Sequence, residues 1–198
     1  MKRARAAFLA AAGADIALAA TGRDPWRRLT KPLLMPTLML GRRRSTQRAL
    51  ALGGVGDVAL LGESPQAFTA GLTAFLVGHL AWIEALRQRP STGLVRRRPV
   101  RALPYVAAWA GLNAYLWPRT GRDRYPVLAY STVLAAMALT ALDTGVPTTA
   151  AGGALFMTSD TLLALKRFAG VEVPGGEALV TASYAAAQGL LAIEPGEK

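Results

Sequence analysis

Basic residues in this chain gather in clusters, at 2–5, 42–48, 96–101 and 119–124, and the stretches between the clusters are long, apolar and nearly free of charge. A soluble helix instead spreads its charges along one face with a period of 3.6 residues. Segregated charge of this kind excludes an ordinary soluble domain, and 52% hydrophobic residues exclude a disordered chain. Only 18% of the residues are charged, where a soluble chain carries about a quarter. The absence of Cys removes disulfides, thiolate zinc sites and cysteine nucleophiles, and a single His, His79, removes sites built on several imidazoles.

A helix needs roughly 20 apolar residues, and at least about 17, to cross a bilayer. The runs Ala102–Pro118 and Pro126–Leu142 carry no charge at all. Gln66–Leu86 carries His79 and Glu84, Pro147–Leu165 carries Asp160, and Ala178–Ile193 is uncharged but slightly short. Three weaker runs are Ala6–Ala20 with Asp15, Leu29–Leu40 with Lys31, and Ala49–Leu61 with Asp57. Together they predict an all-α, polytopic transmembrane bundle of about eight helices forming one integral membrane domain over 1–198. The first run resembles a signal peptide, but Asp15 inside it and the closeness of the next run point to a retained helix. Pro32 and Pro36 predict a break or kink in the second.

With eight spans both termini share a side. The basic residues on that side (2–5, 42–48, 87–101 and Lys198) outnumber those at 23–31, 119–124 and 166–167, which predicts a cytoplasmic N-terminus. The Arg- and Ala-rich composition fits a high-GC bacterial source, and hence a bacterial inner membrane. A run such as Arg96-Arg97-Arg98 resembles a nucleic-acid patch. Because these clusters border apolar runs, however, their expected partners are anionic lipid head groups, not nucleic acid. Trp26 and Trp117, at span ends beside Arg, suit an interfacial aromatic belt. Oligomeric state is left open.

The informative residues are those that lipid disfavours, since a charge at a helix centre costs roughly 2.5–3.5 kcal/mol on insertion scales. They are Asp15, Lys31, Asp57, His79, Glu84 and Asp160, joined by Asn113, Tyr130, Ser159, Tyr184 and Gln188. Asp57 follows Gly53, Gly54 and Gly56, which allow close approach of a helix or a ligand; it either pairs with Lys31 or an Arg, or serves a reaction. Phe75 and His79 share a face, as do Phe156, Asp160 and Ala164, with Arg167 one turn further. His79 reads as a core histidine or a proton relay, and Lys31 as a phosphate contact or a snorkelling cation. Ser159-Asp160 reads either as a helix-bending back-bond with an ion pair, or as a carboxyl that passes a proton to substrate with Ser159 positioning it. As an ester nucleophile, Ser159 lacks a clear His partner. Tyr184 and Gln188, four apart, bind a head group or join helices.

Taken in order, KPLLMPTL (31–38), Gly56-Asp57, GLTAFLVGH (71–79), Leu103-Pro104-Tyr105, PVLAY (126–130), GALFMTSDTLLALKRF (153–168) and the Tyr184/Gln188 pair resemble the YhhN/TMEM86 family of lysoplasmalogenases. Trp82, where that family more often has Tyr, and Asp15 depart from its pattern. The resemblance implies hydrolysis of the vinyl ether bond of a lysoplasmalogen to a fatty aldehyde and a glycerophospho head group. Such chemistry needs one protonated carboxyl and one ionised group. Asp57 and Asp160 are the expected pair, in either order, with His79 tuning or relaying. Lys31, Tyr105, Tyr130, Ser159, Tyr184 and Gln188 are the expected substrate contacts, with no metal or cofactor. The competing reading is a lipid-binding or lipid-moving protein with the same polar cavity and no chemistry.

Overall fold

The computed structural model describes residues 2–22 and 24–196. Arg23 and Lys198, counted above in the charge asymmetry, lie outside the described residues, as do the side chains of Lys2 and Arg3. Each predicted apolar run is a helix: α1 Lys2–Ala20, α2 Asp24–Met39, α3 Arg44–Ala59, α4 Pro65–Arg87, α6 Leu103–Leu116, α7 Arg124–Asp143, α8 Pro147–Ala169 and α9 Gly176–Leu191. Between α4 and α6, the turn α5 (Leu94–Arg97) and a 3₁₀ segment, Pro99–Ala102, carry the basic cluster around Arg96. The fold is all-α.

The expected break at Pro32 and Pro36 does not occur, because α2 runs helical through both. A proline deprives the carbonyl four residues earlier of its helical donor, so Arg28 and Pro32 lose backbone partners. Packing holds this stretch in place, with Leu34, Met35 and Leu38 buried in the core.

Sequential packing closes the helices into a ring: α1 on α2, α2 on α3, α3 on α4, α4 on α7, α7 on α8, α8 on α9, and α9 back on α1. Helix α6 stands outside the ring, leaning on α7 and α8. Small residues set how closely the ring closes. A Cβ on Gly153 would lie 3.0 Å from the Ala138 Cα of α7, and one on Gly152 would lie 3.1 Å from the Ala187 carbonyl of α9. Adjacent glycines thus seat α8 between its two neighbours. The ring interior is filled by Trp82, Phe156, Leu34, Met35, Leu50 and Met137, all nearly inaccessible.

The two ends differ. At one, the buried Arg89 donates to the Leu191 carbonyl (2.9 Å), the Ile193 carbonyl (3.1 Å) and Thr46 Oγ1 (3.5 Å), capping the free carbonyls of α9 with a cation. Thr46 in turn donates to Glu194 at 2.8 Å, so this end is tied shut. The opposite end carries exposed Trp26, Trp117 and Tyr125, with Trp117 and Tyr125 packed edge to face at 5.7 Å. Leu9, Leu33, Val55, Val77, Leu80 and Val106 project outward from helix bodies, and exposed apolar side chains of this kind suit contact with lipid or a partner. Among the described residues, two helical segments are long and apolar enough to cross a membrane, Pro65–Arg87 and Gly121–Asp143.

Arg89→Ala is expected to lower stability by about 2 kcal/mol, the value of charged hydrogen bonds to otherwise orphaned carbonyls. A thermal unfolding midpoint in detergent equal to wild type would show that this end is held by other contacts.

Candidate active site

At the open end the ring widens into a cavity of about 390 Å³, walled by α2, α3, α4, α7, α8 and α9. Its rim carries Arg28, Glu63, Phe68, Arg167 and Glu177, and deeper in it reaches Asp57, Tyr130, Asp160 and Tyr184. Below them His79, Phe156 and Trp82 are about 1% exposed and seal the floor.

Asp57 comes from the last turn of α3 and is 2% exposed. Lys31 Nζ, from α2, lies 3.7 Å from its Oδ1. Tyr184, from α9, donates its hydroxyl to Oδ2 at 2.7 Å, and Gln188 Nε2 donates to that same hydroxyl at 3.2 Å. Three helices therefore converge on one carboxyl. Glycines make the convergence possible: a Cβ on Gly53 would sit 2.9 Å from Gln188 Nε2, and one on Gly56 would sit 2.5 Å from the Phe75 ring. Phe75 packs edge-on against Tyr184 at 5.9 Å, which fixes the phenol.

Asp160, from α8, has different company. The Tyr130 hydroxyl of α7 donates to its Oδ2, and His79 Nε2 of α4 lies 3.1 Å from that hydroxyl and 4.0 Å from the carboxyl. The His79 ring packs edge to face on Phe156 at 4.7 Å and tilts against Tyr130. Among the described residues no Lys or Arg pairs with Asp160. One wall of the cavity thus holds a carboxyl beside a cation, and another holds a carboxyl bonded to a phenol that is backed by an imidazole.

Seven of the expected site residues gather in these two clusters: Lys31, Asp57, His79, Tyr130, Asp160, Tyr184 and Gln188. Ser159 reaches the cavity wall, but its hydroxyl donates to the Val180 carbonyl at 3.1 Å and joins α8 to α9. That bond crosses to another helix, so it is not the back-bond that the Ser-Asp sequence suggests. Tyr105 lies on α6, outside the ring, and does not line the cavity. Glu84 is exposed and accepts from Gln88, while Asn113 accepts from Ser131 and joins α6 to α7. Asp15, fully buried, takes Thr30 (2.8 Å) and Arg27 (3.4 Å) as partners, and Arg27 also donates to Thr181. Asp15 therefore ties α1 to α2.

The rim residues Arg28, Glu63 and Glu177 were not among the expected contacts. A signal for the arginines was present, since Arg27 and Arg28 lie within a turn of Lys31, but the helix begins earlier than the apolar run that marks it. Arg167 stacks over Phe68 at 3.5 Å from the ring centre and so stays at the rim.

Lys31→Met leaves the Asp57 carboxyl without its cation. Removing one partner of a fully buried pair costs about 3–5 kcal/mol; with 19% of the Lys31 side chain exposed, the expected loss is nearer ~2 kcal/mol. Adding Asp57→Asn should recover most of it. Unfolding of the single and double variants in detergent measures this, and additive losses would show that the two groups are not coupled.

The YhhN family model matches residues 23–194. The chain is 38% identical over 166 residues to a lysoplasmalogenase of Mycobacterium bovis, an alignment that covers 77% of this chain and 60% of that one. It is 35% identical over 148 residues to lysoplasmalogenase TMEM86B of Sus scrofa (74% and 61% covered) and 29% over 164 to TMEM86A of Bos taurus (75% and 63%). The chain thus spans about 60% of the length of the curated relatives it matches. No solved structure matches it. With the match running through all the helices that wall the cavity, the chain belongs to the YhhN family.

Proposed function

We propose that this protein is a membrane-embedded hydrolase of the vinyl ether bond of lysoplasmalogens, with Asp160 as the acid and Asp57 as the ionised partner. The observation that carries this reading is the unequal surroundings of the two carboxyls on one cavity. Lys31 at 3.7 Å and the Tyr184 hydroxyl at 2.7 Å both favour charge on Asp57. Asp160 has the Tyr130 hydroxyl and the imidazole behind it but, among the described residues, no Lys or Arg partner to match its charge as Lys31 does for Asp57. A relation of this kind, two carboxyls set apart by their environments, separates acid from base in other hydrolases.

Asp160 transfers its proton to the β carbon of the vinyl ether, which leaves an oxocarbenium cation at the carbon bonded to oxygen. The Asp57 carboxylate stabilises that cation and accepts a proton from the water that adds to it, giving a hemiacetal. The hemiacetal collapses with proton transfer to the glycerol oxygen, releasing aldehyde and the glycerophospho head group. In that collapse Asp57 gives its proton to the glycerol oxygen and Asp160 takes the proton of the hemiacetal hydroxyl, so one water is consumed and both carboxyls return to their starting states. Tyr130 and His79 orient the acid: the Tyr130 hydroxyl donates to Asp160, and His79 stands behind that hydroxyl, off the cavity. Lys31, Arg28 and Arg167 at the open end supply positive charge for the phosphate.

The reading carries a topology. The eight long helices cross the bilayer of a bacterial plasma membrane with the N-terminus cytoplasmic, so the cavity opens at the outer face, where the aromatic rim meets the interface. The Arg89 end faces the cytoplasm.

Asp57→Asn and Asp160→Asn, if inserted and folded as wild type, should each lower aldehyde release from an alkenyl lysophospholipid at least 100-fold. Aldehyde release at wild-type rates by both variants sinks the mechanism. Time-resolved mass spectrometry of wild-type protein with a lysolipid panel tests the chemistry itself: lipid that binds yet stays intact would assign the cavity to binding or transport.

A further inference from the structure

Resting on that reading, we infer that the alkenyl chain of the substrate leaves the cavity sideways, between α7 and α8 and beneath α6, so that α6 forms a chain subsite. The head group sits at the rim with the cations, and the reacting carbons must lie at Asp160. The hydrocarbon therefore has to continue beyond the acid. Straight ahead the path is closed, because His79, Phe156 and Trp82 are packed to about 1% exposure. One further void adjoins the acid: a cavity of about 50 Å³ between α6, α7 and α8.

Val127, Tyr130, Asp160 and Ala164 line both voids, so the Tyr130–Asp160 pair forms the partition. The far side is hydrocarbon in character, with Leu112, Leu116, Leu134 and Met157. Ala108, at its edge, is exposed on the outer surface of the bundle. A short stretch of chain fits the void, and the remainder lies on the lipid-facing surface past Ala108. The position of α6 outside the ring suits this role, since it covers the α7–α8 seam from outside and can shift there without disturbing the other ring contacts.

Ala108→Trp places bulk at that edge. Because the position is exposed, the fold tolerates the substitution, and the residue is remote from the reacting atoms. Alkenyl lysophosphoethanolamines with short and long chains are offered to wild type and variant. The expected result is a loss of at least tenfold in kcat/KM for chains of 16 carbons, with short chains within twofold of wild type. An equal effect on all lengths, or none on any, overturns the chain route while leaving the hydrolase reading standing. If wild type cleaves no member of the series, the hydrolase reading falls and takes the route with it. An independent probe is an uncleavable alkyl ether lysolipid with a diazirine at the chain end. Cross-linking to peptides of α6 supports the route, and cross-linking to 60–72, at the α3–α4 lip, overturns it.

Discussion

The Lys31–Asp57 pair is the interaction on which the polar interior depends. A carboxyl placed in a bundle of Leu, Ala and Phe side chains is costly unless its charge is matched and its oxygens are hydrogen-bonded. Here the match comes from α2, the hydrogen bond from α9, and the carboxyl itself from α3, so an ion pair and a hydrogen bond on one carboxyl hold three helices in register. The glycines at 53 and 56 follow from the same requirement, since any side chain at either would occupy the space that Gln188 and Phe75 now fill.

The ends of the ring spend their charge differently. Arg89 is buried and donates to backbone carbonyls, where burial pulls its guanidinium below the usual value while Glu194 pulls it back. Such a cation is structural, with three of its N–H groups committed to Thr46 and to the C-terminal end of α9. At the opposite end Arg28 and Arg167 face the cavity, and Glu177 is shared between Lys166 and Arg27. The ring is therefore shut by hydrogen bonds at one end, and its cavity opens only at the other, among exposed charges.

Much of the fold was legible because hydrocarbon imposes so simple a rule. The apolar runs locate the helix bodies within a few residues; Pro147 opens both the run and α8. The prolines at 32 and 36 do not break α2, since local rules count the missing donors and cannot see the tertiary burial of Leu34 and Met35 that keeps α2 helical. At the site, residues lying where lipid disfavours them (Asp57, His79, Asp160, Tyr184) were recognisable one by one. What the sequence concealed was their pairing, which depends on ring closure between segments as distant as Asp57 and Tyr184. The rim charges were hidden for a different reason: Arg and Glu at span ends are ordinary, and nothing local separates those that face a cavity. Tyr105 was expected beside the carboxyls, but it lies on α6, outside the ring, and does not line their cavity.

The commitments of Ser159 and His79 also bear on which bond the cavity is suited to break. Ester hydrolysis through a serine needs a hydroxyl held by a general base, with the base oriented by a third group. Ser159 instead gives its proton to the Val180 carbonyl, and His79 spends Nε2 on Tyr130. No hydrogen bond joins the two, so Ser159 has no base to make it a nucleophile. A vinyl ether asks for less: its β carbon is basic enough to take a proton directly, and the resulting cation needs a nearby anion and water, not a covalent partner. On the function proposed above, two carboxyls in unlike surroundings meet that demand, and the hydroxyls and imidazole around them orient the one that would act as acid.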